Sequence, residues 1–176
     1  MSDERNRGLV IVNTGDGKGK SSSAFGMMLR AVARGWSVIV IQFIKSEKWQ
    51  TGERKMAEQL GVDWITGGDG FTWESDDMEA TEKAAQDAWD RARGAISGGE
   101  YDLVILDEAT YPVSFGWIRV EDVVSAISDR PEGVNIIITG RDADPALIDI
   151  ADTVTEMKNV KHAFDAGIAA RKGLDF

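Results

Sequence analysis

The chain has 176 residues, of which 43% are hydrophobic and 28% are charged, with a formal net charge of −10 and no cysteine. This length favours a single domain spanning residues 1–176, and the composition is typical of a globular protein. The acidic balance argues against nucleic acid as a partner, because binding along a phosphate backbone needs a basic surface. The lack of cysteine excludes disulfides, thiolate metal sites and iron–sulfur clusters.

No apolar run in the sequence is long enough to span a bilayer. The first eight residues are charged and polar, so no signal peptide is visible. Together with the lack of cysteine, these features predict a cytoplasmic protein with no membrane partner.

Short apolar runs alternate with amphipathic segments along the whole chain. In order, the patterns predict strand 9–12, helix 22–33, strand 38–43, helix 53–60, strand 62–66, helix 77–96, strand 101–106, helix 120–128, strand 134–139, helix 145–150 and strand 153–157. Such alternation is typical of an α/β fold in three layers, with helices on both faces of a mostly parallel sheet. Ligands bind such sheets beyond the carboxyl ends of the strands, so the residues that follow each strand are the candidates for a site.

A glycine-rich segment, residues 14–21, follows the first predicted strand and precedes a helix. It has the sequence and context of a phosphate-binding loop, in which main-chain N–H groups face an anion, a lysine reaches the outer phosphates and a hydroxyl holds Mg²⁺. The first glycine of the usual pattern is replaced by Thr14. The order of strand, loop and helix still favours a P-loop NTPase-like, RecA-like fold. The predicted nucleotide-binding residues of this segment are Gly15, Asp16, Gly17, Lys18, Gly19, Lys20, Ser21 and Ser22.

Two carboxylates, Asp107 and Glu108, end the predicted strand 101–106. In phosphate-loop proteins a strand of this kind supplies the carboxylate that holds Mg²⁺ together with the hydroxyl of the loop. The predicted metal ligands are therefore Ser21, Asp107 and Glu108, and the sequence leaves open which carboxylate contacts the ion. Arg141 follows another buried strand, where a guanidinium either clamps phosphates or forms a salt bridge at the edge of the sheet.

Two further features are ambiguous when they are taken alone. Phe71 and Trp73 lie in a glycine-flanked loop, where they either pack on a small apolar cluster or form a platform for a flat ligand. His162 is the only histidine, so a structural or hydrogen-bonding role is favoured over a catalytic triad or a metal site. No residue stands out as a general base for an oxygen nucleophile.

Several segments together resemble one family, the phosphate-loop ATP:corrinoid adenosyltransferases, which make adenosylcobalamin. The resemblance runs from Gly8 to Phe176. Its most specific parts are Gly-Phe-Thr-Trp-Glu at 70–74 and Lys-His-Ala-Phe-Asp-Ala-Gly at 161–167. The other matching segments are 14–21, 40–45, 106–108, 137–141 and 151–154.

The resemblance implies a reaction that needs no general base. Co(I) of a corrinoid attacks C5′ of ATP, and tripolyphosphate leaves. Gly17, Gly19, Lys20 and Ser21 would then hold the triphosphate as a leaving group, with Lys20 as a catalytic residue and Mg²⁺ offsetting the charge. Asp16 stands where the family often has asparagine, and its charge would repel a triphosphate unless the side chain points away.

The resemblance also assigns catalytic roles to Phe71 and Trp73, which would lie under the corrin ring and displace its lower axial base. The implied substrates are ATP and cobalamin or its precursors. The implied partners are a reduced flavoprotein, as electron donor, and a second copy of the chain in a homodimer. An alternative from the phosphate loop alone is a kinase of a small metabolite or nucleotide, and a further one is a nucleotide-gated switch or corrinoid carrier.

Overall fold

The structure is a computed structural model, and it describes residues 7–46, 51–68 and 78–175. Within these ranges the strands are β1 Val10–Thr14, β2 Val38–Ser46, β3 Asp63–Gly68, β4 Leu103–Asp107, β5 Asn135–Thr139 and β6 Thr153–Glu156. The helices are α1 Lys20–Val32, α2 Gly52–Gln59, α3 Met78–Gly98, α4 Thr110–Ser114, α5 Val120–Ser128 and α6 Pro145–Asp149. A 3₁₀ helix covers Ala163–Ala166. None of the described helices is both long and apolar enough to cross a membrane.

The six strands form one sheet in the order β3-β2-β4-β5-β1-β6. Every pair of neighbours is parallel. Parallel neighbours need crossover connections, and here the helices supply most of them. The prediction of an α/β fold with a mostly parallel sheet is therefore confirmed.

Helices cover both faces of this sheet, because alternate residues of the central strands are apolar in both directions. One core packs α1 and α2 on residues such as Ile105 and Ile137. The other core packs α3, α5 and α6 on residues such as Leu106 and Ile138. All four of these side chains are at most 1% exposed, so the middle of the sheet is shielded from water on both sides.

The predicted elements agree with the observed ones within a few residues at each end. The patterns did not indicate α4 or the 3₁₀ helix, which have five and four residues. Elements of this length complete too little of a helical period to stand out in a sequence. Helix α4 follows the carboxyl end of β4, and the 3₁₀ helix lies in the C-terminal segment. Both are next to the candidate site.

Candidate functional site

The loop between β1 and α1 is the centre of the site. Gly19 caps α1 with a φ of 119°, which brings the first turn of the helix directly onto the loop. The Lys20 ammonium folds back over the loop and donates to the carbonyl oxygens of Gly15 and Gly17, each at 2.7 Å. The loop therefore already holds the Lys20 ammonium at the point where the sequence predicts a triphosphate.

One amide of this loop is committed to the protein itself. The N–H of Gly17 donates to the carbonyl of Met157 at 2.6 Å, and Met157 donates to the carbonyl of Thr14 at 2.8 Å. A Cβ at position 17 would lie 2.7 Å from the main chain of Lys158. Gly17 thus allows the close packing of the segment after β6, while its predicted part in holding the triphosphate stays a prediction.

Thr14, which replaces the first glycine of the usual loop pattern, has a hydrogen-bond partner in the turn after β5. The Thr14 hydroxyl accepts the N–H of Ala143 at 3.2 Å and so connects the phosphate loop to the turn after β5. The same turn carries Arg141, whose Nε lies 4.0 Å from the carboxylate of Asp16. The Asp16 side chain is 77% exposed, so it lies at the rim, beside an arginine.

The main chain of Arg141 is held from α4. The Thr110 hydroxyl donates to the carbonyl of Arg141 at 2.6 Å, and Thr110 is 1% exposed. Gly140 is essential to this contact, because a Cβ there would lie 2.0 Å from the Thr110 hydroxyl oxygen. Its φ of 144° is also one that other residues rarely adopt. Gly140 and Thr110 therefore fix the direction of the main chain at Arg141, after the end of β5.

The two carboxylates at the end of β4 have different surroundings. Asp107 is fully buried, and its oxygens accept from Gln42 Nε2 at 2.7 Å and from the Thr139 hydroxyl at 2.8 Å. Glu108 is half-buried and has a φ of 59°, in the left-handed region that non-glycine residues seldom adopt. Its N–H donates to the Thr139 hydroxyl oxygen at 3.0 Å. Asp107 and Thr139 thus hold the turn that presents Glu108.

Charged groups of both signs lie near Lys20 and affect its pKa. Burial lowers the pKa of Lys20, and the nearby Arg141 charge lowers it further, while Asp16 and Glu108 act in the opposite direction. Glu108 is therefore close enough to the loop lysine to influence its charge. A cation that is held jointly by the loop and a carboxylate requires that carboxylate to lie close to the loop.

Lys20, Arg141 and Asp16 line a cavity of about 350 Å³ beyond the carboxyl ends of the strands, and Ser21, Asp107 and Glu108 are not part of its lining. It is lined by Asp16, Gly17, Lys18, Lys20, Arg141, Asn159, His162, Phe164 and Asp165. Three cations of this lining favour an anionic ligand, and the Lys18 ammonium is paired with the carboxylate of Asp175. The structure therefore brings the loop and Arg141 together around one space.

Ser22 faces a different cavity. This second space, of about 480 Å³, lies between α1, α2 and the end of the chain, and its lining includes Phe25, Met28, Met56 and Leu174. The apolar lining contrasts with the charged cavity on the other side of the loop. Ser22 thus lines the apolar space and not the charged cavity around Lys20 and Arg141.

A magnesium ion fits part of the predicted ligand set. Magnesium takes oxygen ligands and usually keeps several waters, so one hydroxyl, one carboxylate and phosphate oxygens are enough. Ser21, in the first turn of α1, and Glu108 supply those types, whereas Asp107 already uses both oxygens within the sheet. Among the described residues, no group of three or more histidine, cysteine, aspartate or glutamate side chains could hold a metal. A site completed by the nucleotide is the arrangement that these residues allow.

The predicted aromatic platform, Phe71 and Trp73, lies outside the described residues. Tyr111, in α4, is a neighbour of the site that the sequence did not indicate. Burial raises its pKa, and the charges of Arg141 and Glu108 act on it as well. The position of Tyr111 five residues after the predicted strand 101–106 was its only signal in the sequence.

Comparison with known proteins identifies what the chain resembles. The family model described as ATP:corrinoid adenosyltransferase BtuR/CobO/CobP matches residues 6–176. A protein of Escherichia coli K12 named corrinoid adenosyltransferase is 43% identical over 97% of this chain and 86% of its own length. The corrinoid adenosyltransferase CobA of Salmonella typhimurium is 43% identical over 98% and 88%. A corrinoid adenosyltransferase of Pseudomonas aeruginosa is 44% identical over 97% and 84%.

Proposed function

The chain belongs to the ATP:corrinoid adenosyltransferase family, and from this premise we propose how its residues carry out the transfer. The enzyme uses ATP to adenosylate a corrinoid, a reaction of cobalamin biosynthesis. The electron pair of Co(I) forms a bond to C5′ of ATP, the bond from C5′ to its oxygen breaks, and tripolyphosphate leaves with the electron pair of that C–O bond. Neither substrate loses a proton in this step, so no general base is required.

The cation-lined cavity beside the phosphate loop is the observation that carries the proposal. Because no proton moves, the protein contributes by positioning the two substrates and by stabilising the charge of the leaving group. The cavity has Lys20 and Arg141 on its walls and lies beyond the carboxyl ends of β1, β5 and β6. We propose that the triphosphate occupies this space.

Lys20 is proposed to be the main group that stabilises the leaving triphosphate. Its ammonium is held at 2.7 Å from the carbonyl oxygens of Gly15 and Gly17, so its position is set before the nucleotide arrives. A cation that is already in place needs little reorganisation as charge develops. Gly15, Gly19 and Ser21 are proposed to complete the cradle with main-chain N–H groups at the start of α1.

Magnesium is proposed to be held by Ser21 and Glu108 together with oxygens of the triphosphate. When bound, the ion offsets negative charge on the leaving group. Asp107 is proposed to act through the sheet, since its contacts to Gln42 and Thr139 fix the turn at Glu108. Arg141 is proposed to contact the phosphates from the opposite wall, with Asp16 and Lys18 at the rim.

The corrinoid side of the reaction remains a prediction from the resemblance. Phe71 and Trp73 are proposed to lie under the corrin ring, where side chains that cannot ligate cobalt would keep its lower face free. A centre without a lower ligand is easier to reduce to Co(I). A reduced flavoprotein as the electron donor, a homodimer and a cytoplasmic location also stay predictions.

One incubation tests the reaction itself. The protein is mixed with ATP, Mg²⁺ and chemically reduced cobalamin under anaerobic conditions, and the phosphate products are separated. Tripolyphosphate together with a light-sensitive Co–C product supports the proposal. Formation of ADP with unmodified corrinoid would support the phosphate-loop kinase instead, and unchanged ATP would support a switch or a carrier.

A further inference from the structure

The C-terminal strap, residues 158–175, lies across the phosphate loop and is attached to it near both ends. Just before the strap, Met157 bonds to Gly17 and Thr14 through the main chain. Near its end, Asp175 pairs with the Lys18 ammonium and accepts the N–H of Arg171 at 2.7 Å. A segment fastened at two points to the loop keeps the residues between those points next to the charged cavity.

One side chain of the strap is turned inward. Every residue of 158–175 is exposed except His162, which is half-buried. His162 lines the charged cavity, as do its strap neighbours Asn159, Phe164 and Asp165. An imidazole that is shielded in a strap of exposed residues is positioned to contact whatever occupies the cavity.

The ring of His162 has a defined arrangement of donor and acceptor. Its Nδ1 accepts the N–H of Phe164 at 3.1 Å and caps the 3₁₀ helix that follows. A nitrogen that accepts carries no proton, so in the neutral ring the proton is on Nε2. The main chain therefore occupies the acceptor Nδ1, and the Nε2–H group is the one that can donate a hydrogen bond to a ligand.

The surroundings favour an anion as that ligand. Lys18, Lys20 and Arg141 line the same cavity, and its acidic members are Asp16 and Asp165. Asp16 is close to Arg141, and Asp175 is paired with Lys18. An N–H donor added to a lysine and an arginine matches the several acceptor oxygens of a polyphosphate.

We propose that His162 is a binding residue for the leaving triphosphate and donates from Nε2 to one of its oxygens. The proposal rests on the proposed function of the cavity. It gives the strap a task in the reaction, because the strap would add a neutral donor to the cations of the loop. The prediction of a structural or hydrogen-bonding role for His162 is thereby made specific.

Two substitutions separate this role from that of a helix cap. The side-chain oxygen of asparagine can replace Nδ1 as acceptor, so His162→Asn keeps the cap, while its shorter amide places no donor at the position of Nε2. The amide nitrogen of glutamine lies near the Nε2 position, so His162→Gln keeps a donor and loses the cap. Val160→Ala, at a strap residue that is 92% exposed, is the matched control.

The readout is the affinity for inorganic tripolyphosphate, measured by calorimetry, with KM for ATP as a second measurement. We expect His162→Asn to weaken binding by about tenfold, the loss typical of a hydrogen bond to a charged group. His162→Gln should stay within about threefold of the unsubstituted protein, and Val160→Ala should equal it. Circular dichroism and thermal melting show whether each variant is folded.

The proposal is overturned by any result in which the folded asparagine variant binds tripolyphosphate as tightly as the glutamine variant. Weakening confined to the glutamine variant would identify His162 as a helix cap only. The binding measurement needs no corrinoid, so it stands even if the unsubstituted protein fails to form a Co–C product. The failure of the proposed function would appear in that product assay, and the failure of the histidine contact would appear in calorimetry.

Discussion

The Thr139 hydroxyl donates to the carboxylate of Asp107 at 2.8 Å across the interface of β4 and β5. The same hydroxyl oxygen accepts the N–H of Glu108 at 3.0 Å. One buried threonine therefore connects the carboxylate inside the sheet to the turn of the carboxylate beside the loop. This connection is the basis of our proposal that Asp107 supports the turn and that Glu108 binds the ligand.

Glu108→Gln should mainly change the response to magnesium. Because the substitution removes a charged oxygen ligand and keeps the shape of the side chain, the magnesium concentration for half-maximal rate should rise by about tenfold or more. The measurement is the rate of adenosylation against magnesium at saturating ATP. Glu121→Gln, at an exposed residue of α5, is the control and should leave the curve unchanged. An unchanged half-saturation in Glu108→Gln would contradict the ligand role.

Asp107→Asn should mainly change stability. It replaces a buried acceptor of two hydrogen bonds, and we expect the free energy of unfolding to fall by about 1–3 kcal/mol. Urea unfolding measures this, with Asp90→Asn as a control at an exposed carboxylate that should shift it by less than about 0.5 kcal/mol. A fully stable Asp107→Asn protein with a larger magnesium defect than Glu108→Gln would reverse the two roles.

Lys20→Ala should remove most of the activity and leave the fold intact. We propose that the ammonium stabilises the leaving triphosphate, and the loss of such a group costs on the order of a few kcal/mol in the transition state, which is about a hundredfold in kcat. Lys83→Ala, at a lysine that is 72% exposed on α3, is the matched control. Turnover above about a tenth of the control's value at saturating ATP would refute the leaving-group role.

Arg141→Gln should raise the pKa of Lys20. Burial and then the Arg141 charge lower that pKa, so removing the guanidinium takes away the second cause. With a folded-state pKa below 10.5, the unfolded chain binds the proton more tightly, and the free energy of unfolding should rise with pH through that window. The rise should be smaller in Arg141→Gln.

Lysine-labelled protein titrated by NMR measures the pKa directly, with Lys20→Arg assigning the resonance. A pKa in Arg141→Gln that is equal to or lower than that of the unsubstituted protein would contradict the placement of Arg141 beside the loop lysine.

Gly140→Ala should destabilise the protein, because a Cβ at this position would collide with the Thr110 hydroxyl at a φ of 144°. We expect the free energy of unfolding to fall by about 2–4 kcal/mol. Gly94→Ala is the control within α3, where nothing lies within 4 Å of the added Cβ, and it should stabilise by about 0.5–1 kcal/mol. Similar melting curves for the two variants would show that the contact between Thr110 and Gly140 is not tight.

Phe71→Ala and Trp73→Ala should separate reduction from transfer. If these aromatics displace the lower axial base, the variants should bind Co(II) cobalamin and keep it five-coordinate, so that a flavoprotein cannot reduce it. A strong chemical reductant should restore most of the activity, because the phosphate cavity is unchanged. Trp36→Ala, at an exposed tryptophan, is the control. A four-coordinate spectrum of bound Co(II) cobalamin at normal intensity in both variants would contradict this role.

Local patterns in the sequence determined the sheet, the major helices and the phosphate loop. Strand and helix periodicity depend on neighbours within a few residues, so 134–139 and 120–128 were predicted close to their observed bounds. The loop was recognised in the same way, since its glycines, Lys20 and Ser21 are adjacent in the chain. The family resemblance rested on equally short segments.

Only the tertiary structure decided which hydrogen bonds Asp107 and Glu108 make, what the Gly17 amide binds and what contacts His162 makes. The partners of Asp107 are 65 and 32 positions away in the sequence. The Gly17 amide reaches Met157 from the other end of the chain. Contacts of this kind depend on the order and register of the strands, which no local pattern encodes.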